Sequence, residues 1–198
     1  MEAARHPEPP PELQERDLPM VKKSGPWFRF HAIDRDPLYF GRRCRHRFDS
    51  PEGEFGTLYM AGNERGAFIE TFGQTTGIRV VSGSALAARA LSEITTYEPL
   101  QLVDLTGGLP RMGADGRLTM GDDYGVARRW SGALHDHPSR PDGLYYQLRH
   151  DPTRFGCALF DRASARTHCR TLGSLMESRN SALLAQLLDE YDFGLIRE

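Results

Sequence analysis

The apolar positions between residues 27 and 72 follow two spacings, one typical of strands and one typical of a helix. Alternating side chains over 27–32 predict a strand, and a short apolar run predicts another over 57–61. Asn63 is a suitable N-cap for a helix over 64–73. At about 100° per residue, this helix carries Glu70 on a side of small residues and its phenylalanines on the other. We therefore expect Glu70 to have open space beside it while the aromatic side anchors the helix.

Weaker patterns divide the rest of the chain into further elements. Apolar spacing predicts helices over 84–94, 122–135 and 181–191, and strands over 100–105, 155–160 and 193–196. The side of helix 122–135 that we expect to be buried carries Val126, Ala127, Trp130 and Leu134. Mixed elements without strict alternation favour an α+β fold with a mixed β-sheet core over a doubly wound sheet.

The first 25 residues differ in composition from the rest of the chain. They contain Pro7 and the run Pro9, Pro10 and Pro11, many charges, and almost no apolar periodicity. Such a segment buries little apolar surface, so we expect a flexible leader or docking arm over 1–25 rather than part of the core. Residues 26–198 then form one domain, because 198 residues with 39% hydrophobic content suffice for one core.

The overall composition argues against several classes of function. A formal net charge of -2 is unlike the basic surplus of a general nucleic-acid binder. No apolar run approaches the ~20 residues of a membrane helix, and the N-terminus lacks the apolar region of a signal peptide. The cysteines, Cys44, Cys157 and Cys169, are odd in number and widely spaced, which argues against a disulfide framework. A cytoplasmic protein is expected.

Arginines are concentrated before the second predicted strand, at Arg42, Arg43, Arg45 and Arg47. Most of such a run is expected to be a solvated loop, although guanidinium groups also bind phosphate in bidentate pairs. We single out Arg47, because the neighbouring Phe48 can anchor its backbone. Arg29 lies in an aromatic strand, where an unpaired charge is costly. It therefore needs either a carboxylate or a ligand phosphate, and the sequence leaves both open.

Other candidate residues have an ordinary and a functional interpretation. Tyr59 either packs in the core with its hydroxyl satisfied or stacks on a heteroaromatic ring. Glu70 is either a surface glutamate or, given its small neighbours, a ligand-facing carboxylate. His135 and His137 lack the further ligands of a zinc site, so no metal is predicted. No GxGxxG or P-loop pattern indicates nucleotide binding of the Rossmann type.

The order of these segments resembles the RES domain, a family of bacterial toxins that act on NAD+. The similar segments are 47–51, 58–61, 67–70, 142–152 and 157–160, within a match from Trp27 to Asp161. The resemblance implies a fold like that of ADP-ribosyltransferases and a helix-turn-helix antitoxin as partner. It also implies NAD+ as the substrate, without a metal. Phosphorolysis, hydrolysis and ADP-ribosylation of a protein target are the activities it leaves open.

The resemblance also implies roles for individual residues. By position, Arg29 and Glu70 would be catalytic, and the residues that bind NAD+ around the same pocket would be Arg47, Tyr59 and Arg149. The family's signature serine falls on Leu148, whose side chain forms no hydrogen bonds. Either Ser131 or Ser139 substitutes, or the pocket tolerates the loss, or activity is altered. A catalytically impaired NAD-binding protein is therefore a further alternative.

Overall fold

The computed structural model describes residues 6–196, which form a mixed α+β fold around a curled eight-stranded sheet. The strands are β1 (Met20–Lys23), β2 (Trp27–Ala32), β3 (Thr57–Ala61), β4 (Val80–Ser82), β5 (Arg89–Thr96), β6 (Leu100–Asp104), β7 (Gly143–Gln147), β8 (Phe155–Phe160), β9 (Thr167–Gly173) and β10 (Gly194–Ile196). The α-helices are α1 (Glu64–Phe72), α2 (Gly83–Ala87), α3 (Leu109–Met112), α4 (Arg117–Met120), α5 (Tyr124–His135) and α6 (Ser181–Glu190). The predicted α+β class is confirmed.

The strands of the main sheet follow the order β1-β6-β7-β8-β3-β2-β5-β9. Neighbouring strands are antiparallel except β6 and β7, which are parallel. The β4 and β10 strands pair in parallel as a separate small sheet. This order brings β7, β8, β3 and β2 side by side, so residues from distant parts of the chain can share one surface.

Several of the predicted elements are confirmed with small changes at their ends. Strands β2 and β3 have the predicted bounds, and the Asn63 side chain accepts a hydrogen bond from the Gly66 backbone N–H at the start of α1. Helix α5 begins later than predicted, at Tyr124, after the N-cap Asp123. Helix α6 and strands β6, β8 and β10 also match their predictions.

The helix predicted over 84–94 is wrong. Helix α2 ends at Ala87, and the chain continues as strand β5. This strand lies between β2 and β9 and pairs with both of them, so ladder hydrogen bonds on two sides outweigh local helix propensity. The β-branched run 94–96 favours the extended conformation as well.

The segment expected to be a leader is packed against the domain from residue 6 onward, which corrects that expectation; residues 1–5 lie outside the described residues. Leu13, in the 3-10 helix Pro11–Glu15, is only 1% exposed. The Trp130 indole N–H donates to the Pro7 carbonyl at 2.8 Å. Strand β1 then pairs with β6 at the sheet edge. We call residues 6–19 the N-terminal arm.

The two faces of the main sheet carry different sets of side chains. One face, which we call the helix face, holds an apolar cluster under α5 and another under α1 and α6. Tyr146 packs against both clusters and lies where they meet. The opposite face holds a third cluster that includes Trp27 and Leu58, with Leu38 and Phe40 packed against it. No helix in the described part of the chain is long and apolar enough to cross a membrane.

Candidate functional site

The arginine-rich turn before β3 is organised by one buried carboxylate. Asp49 is 2% exposed and accepts hydrogen bonds from the backbone N–H groups of Arg45 and His46. Its other oxygen accepts from the Tyr59 hydroxyl at 3.0 Å. This fold of the turn directs Arg47 inward, whereas Arg42, Arg43 and Arg45 remain exposed, as expected for most of the run.

Arg47 is buried and has no carboxylate partner in the described part of the chain. One guanidinium nitrogen, Nη1, donates to the Gly121 carbonyl at 2.6 Å and to that of Leu118 at 3.4 Å. The Tyr124 ring lies 4.6 Å from the guanidinium carbon. The other terminal nitrogen, Nη2, is buried and has no hydrogen-bond partner among residues 6–196. Burial lowers the pKa of Arg47, but Arg remains cationic at neutral pH, so this position holds an uncompensated positive charge.

Tyr59 is held by its hydroxyl beneath this turn. The hydroxyl donates to Asp49 and accepts from the Phe48 backbone N–H at 2.8 Å. Burial, followed by the charge of Asp49, raises the pKa of Tyr59 well above its ordinary value. The structure therefore shows the satisfied hydroxyl of the ordinary interpretation. The half-buried ring, with His46 at its edge, leaves the stacking role a prediction.

Glu70 lies on α1 across the helix face from this turn. Its Oε1 accepts a hydrogen bond from the His150 backbone N–H at 2.9 Å. The second carboxylate oxygen has no partner within the described residues, and no basic side chain pairs with it. Glu70 is half-buried. A fixed carboxylate with one free oxygen can accept a hydrogen bond from a ligand or stabilise a positive charge.

Leu148 fills part of the space that the small side of α1 was expected to leave open. It is 2% exposed, and a Cβ added at Gly66 or at Gly156 would come within 2.6 Å of its methyl groups. The two glycines thus make room for this leucine, which packs under α1 as a core residue. The Ser131 hydroxyl is buried and donates to the Phe48 carbonyl, and that of Ser139 contacts His137. Neither serine offers a free hydroxyl.

Arg149 follows Leu148 and contacts the opposite wall of the site. Its guanidinium pairs with Asp122 and donates to the Tyr124 hydroxyl at 3.3 Å. The hydrogen bond to the Asp122 carboxylate is the main cause that raises the pKa of Arg149. Since Tyr124 also covers Arg47, both arginines border one aromatic ring. The sequence analysis did not select Tyr124 or Asp122.

Arg29 is not brought to this cluster, which corrects its predicted place in the same pocket. Phe28 and Phe30 belong to the cluster under α1, so Arg29, between them on β2, faces the opposite side of the sheet with Trp27. There it donates to the Tyr39 carbonyl at 3.5 Å, and its buried Nε has no partner among residues 6–196. Burial lowers the pKa of Arg29 to about 10. No carboxylate among residues 6–196 pairs with it, so the phosphate of a ligand stays the predicted partner.

Four of the five predicted site residues therefore lie on the helix face: Arg47, Tyr59, Glu70 and Arg149. Two surface depressions of about 410 and 420 Å³ lie elsewhere, one beside His135 and Arg162 and one beside Trp27 and Phe155. We favour the helix face because it brings together Arg47, a buried cation with an unpartnered nitrogen, and Glu70, a half-buried carboxylate with a free oxygen. Within residues 6–196, no group of three or more histidine, cysteine or acidic side chains is placed to hold a metal.

Comparison with known protein families shows to which family the chain belongs. The model of the RES domain matches residues 26–177. The chain belongs to the RES domain family. One relative, named probable toxin y4kH, from Sinorhizobium fredii, is 31% identical over 106 residues, which is 53% of this chain and 81% of that protein.

A solved structure shows the same fold. It is a chain from the crystal structure of the M. tuberculosis MbcT–MbcA toxin–antitoxin complex. The match has a TM-score of 0.58 at 19% identity and covers 85% of this chain and 91% of the other. At this identity the likeness concerns the fold alone. It confirms the predicted architecture of a mixed sheet with surrounding helices.

Proposed function

We propose that this protein is the toxin of a toxin–antitoxin pair and that it cleaves the bond between nicotinamide and ribose in NAD+. The observation that carries the proposal is that one face of the sheet holds both Arg47, a buried cation without a carboxylate partner among the described residues, and Glu70, a carboxylate with one free oxygen. The toxin name of the relative and the toxin–antitoxin origin of the structural neighbour support it.

The proposed roles follow from charge. Arg47 binds the pyrophosphate, because a guanidinium matches phosphate oxygens, and Arg149 supplies a second cation beside it. Tyr59 stacks near nicotinamide. As the bond to nicotinamide breaks, its electrons leave with neutral nicotinamide and the ribose develops oxocarbenium character. Glu70 stabilises that charge. An oxygen of phosphate then forms the new bond to C1″, the ribose carbon that nicotinamide has left. In hydrolysis, water forms this bond instead and releases a proton.

A direct assay tests this proposal. Purified protein is incubated with NAD+ with and without inorganic phosphate, and the products are separated by chromatography and identified by mass. Phosphate-dependent loss of NAD+ with ADP-ribose 1″-phosphate as product indicates phosphorolysis, and phosphate-independent formation of ADP-ribose indicates hydrolysis. Label passed from NAD+ to a protein in added lysate indicates ADP-ribosylation. Binding of NAD+ without turnover would contradict the enzyme and leave the catalytically impaired binding protein.

The partner and the place of action belong to the same proposal. A toxin that consumes NAD+ in the cytoplasm must be held inactive by an inhibitor, for which we propose a helix-turn-helix antitoxin. Expression of the chain alone should stop growth and lower cellular NAD+. Expression together with the product of a neighbouring helix-turn-helix reading frame should restore both. Growth arrest without a fall in NAD+ would contradict the proposed activity.

Replacing Arg47 with Lys should weaken NAD+ binding by about tenfold or more. Lysine keeps the charge but has a single nitrogen. The arginine has two terminal nitrogens, one that donates to the two carbonyls and one that remains available for phosphate. The matched control is Arg43→Lys, because Arg43 is exposed in the same turn. Calorimetric titration with ADP-ribose measures both variants. Equal affinity in the two variants would contradict the role of Arg47.

A further inference from the structure

Tyr146 occupies the middle of the candidate site, although the sequence analysis gave it no role. It lies on β7, two residues before Leu148 and on the same face of the sheet. Its ring packs on Phe48 with the ring centres 5.1 Å apart, and the residue is half-buried. It packs against the cluster that contains Phe48, the residue next to Arg47, and also against the cluster under α1, the helix that carries Glu70. Tyr146 therefore lies between the two elements that hold these charges.

The Tyr146 hydroxyl is uncommitted, unlike the other hydroxyl groups around it. It makes no hydrogen bond with any described residue, and it is not among the buried atoms that lack partners. By contrast, the Tyr59 hydroxyl bonds to Asp49, and that of Ser131 to the Phe48 carbonyl. The Tyr124 hydroxyl accepts from Arg149. Tyr146 therefore presents a polar group with both its donor and its acceptor capacity available for a ligand.

The hydroxyl also keeps its proton and its position. Burial, and then the charge of Glu70, raise the pKa of Tyr146 well above its ordinary value, so the phenol keeps its proton at neutral pH. The ring cannot easily turn away, since it packs against apolar clusters on both sides. A rigid donor loses little conformational entropy when it binds a ligand.

The order Arg47, Tyr146, Glu70 along the site corresponds to the order of groups in one half of NAD+. In that half, the pyrophosphate is followed by a ribose, and the bond to nicotinamide lies on its far side. If Arg47 holds the pyrophosphate and Glu70 lies at the bond that breaks, the group between them lies against the ribose. We infer that the Tyr146 hydroxyl is a binding group for this ribose, which it recognises through a hydrogen bond to a ribose oxygen.

This inference rests on the proposed function, and two probes separate the failures of the two. ADP and ADP-ribose both contain adenosine and the pyrophosphate, and only ADP-ribose also contains the ribose that carries nicotinamide in NAD+. Replacing Tyr146 with Phe should weaken ADP-ribose binding about 3- to 10-fold, as expected for one neutral hydrogen bond. The same change should alter ADP binding less than twofold. The control is Tyr97→Phe, whose side chain is 75% exposed on a turn.

Calorimetry with both probes on wild type and both variants gives a clear result. Thermal unfolding of Tyr146→Phe should match wild type, because the lost hydroxyl has no hydrogen-bond partner among residues 6–196. Equal ADP-ribose affinity in wild type and Tyr146→Phe would overturn the inference and leave the proposed function standing. An equal loss for ADP and ADP-ribose would overturn it too, since the contact would then be to the pyrophosphate or the adenosine half. Failure of wild type to bind either probe would overturn both proposals.

Discussion

Replacing Glu70 with Gln should lower the rate of NAD+ consumption by about 100-fold or more. The amide keeps the size of the side chain, and its oxygen can still accept the hydrogen bond from the His150 backbone N–H. What it loses is the negative charge of the half-free carboxylate. A preorganised charge that acts on the transition state is worth about 100- to 1,000-fold in rate. The measurement is the initial rate of nicotinamide release.

Two controls separate catalysis from folding in this experiment. Glu98→Gln makes the same chemical change at an exposed position on the turn between β5 and β6, and it should retain the wild-type rate. Glu70→Gln should also bind ADP-ribose about as well as wild type does, because the charge is proposed to act on the transition state. A Glu70→Gln variant that consumes NAD+ as fast as wild type would show that the carboxylate has another role.

Local patterns were sufficient to predict the elements that carry most of the site. The alternation in β2 and β3, and the Asn63 cap before α1, depend on neighbours in the chain. The assignment of 84–94 failed because β5 owes its conformation to two partner strands, one of which, β9, is about 75 residues away. Strand pairing between such distant segments cannot be predicted from the pattern of neighbouring residues alone.

The arrangement of the candidate site was harder to predict than the elements that carry it. Alternation along β2 already implies that Arg29 faces away from Phe28 and Phe30, and α1 covers those two rings. Only the sheet order reveals that Glu70, Tyr59 and Arg47 share the helix face, which is opposite to the face of Arg29. The same alternation along β7 pairs Tyr146 with Leu148 and was the available signal for Tyr146. Tyr124 gave no such signal, because its contact with Arg47 spans 77 residues of chain.

The N-terminal arm shows how composition alone can mislead. Its prolines and charges do resemble a leader, yet several of its hydrogen bonds reach residues more than 100 positions away. Glu8 pairs with Arg129, and the Pro7 carbonyl accepts from Trp130. Both partners lie on α5, the helix that begins at Tyr124 and so supports one wall of the site. The arm is therefore a structural part of the domain.

Replacing Leu13 with Ala should lower the free energy of unfolding by about 2 to 5 kcal/mol. Leu13 is buried in the cluster under α5, and such truncations lose transfer free energy and leave a cavity. Denaturant titration measures the change, with Glu15→Ala as the control, because Glu15 is exposed in the same 3-10 helix and should cost less than about 0.5 kcal/mol. A flexible leader would give equal values for the two variants. A large difference instead makes the arm part of the core that holds α5, and hence Tyr124, against Arg47.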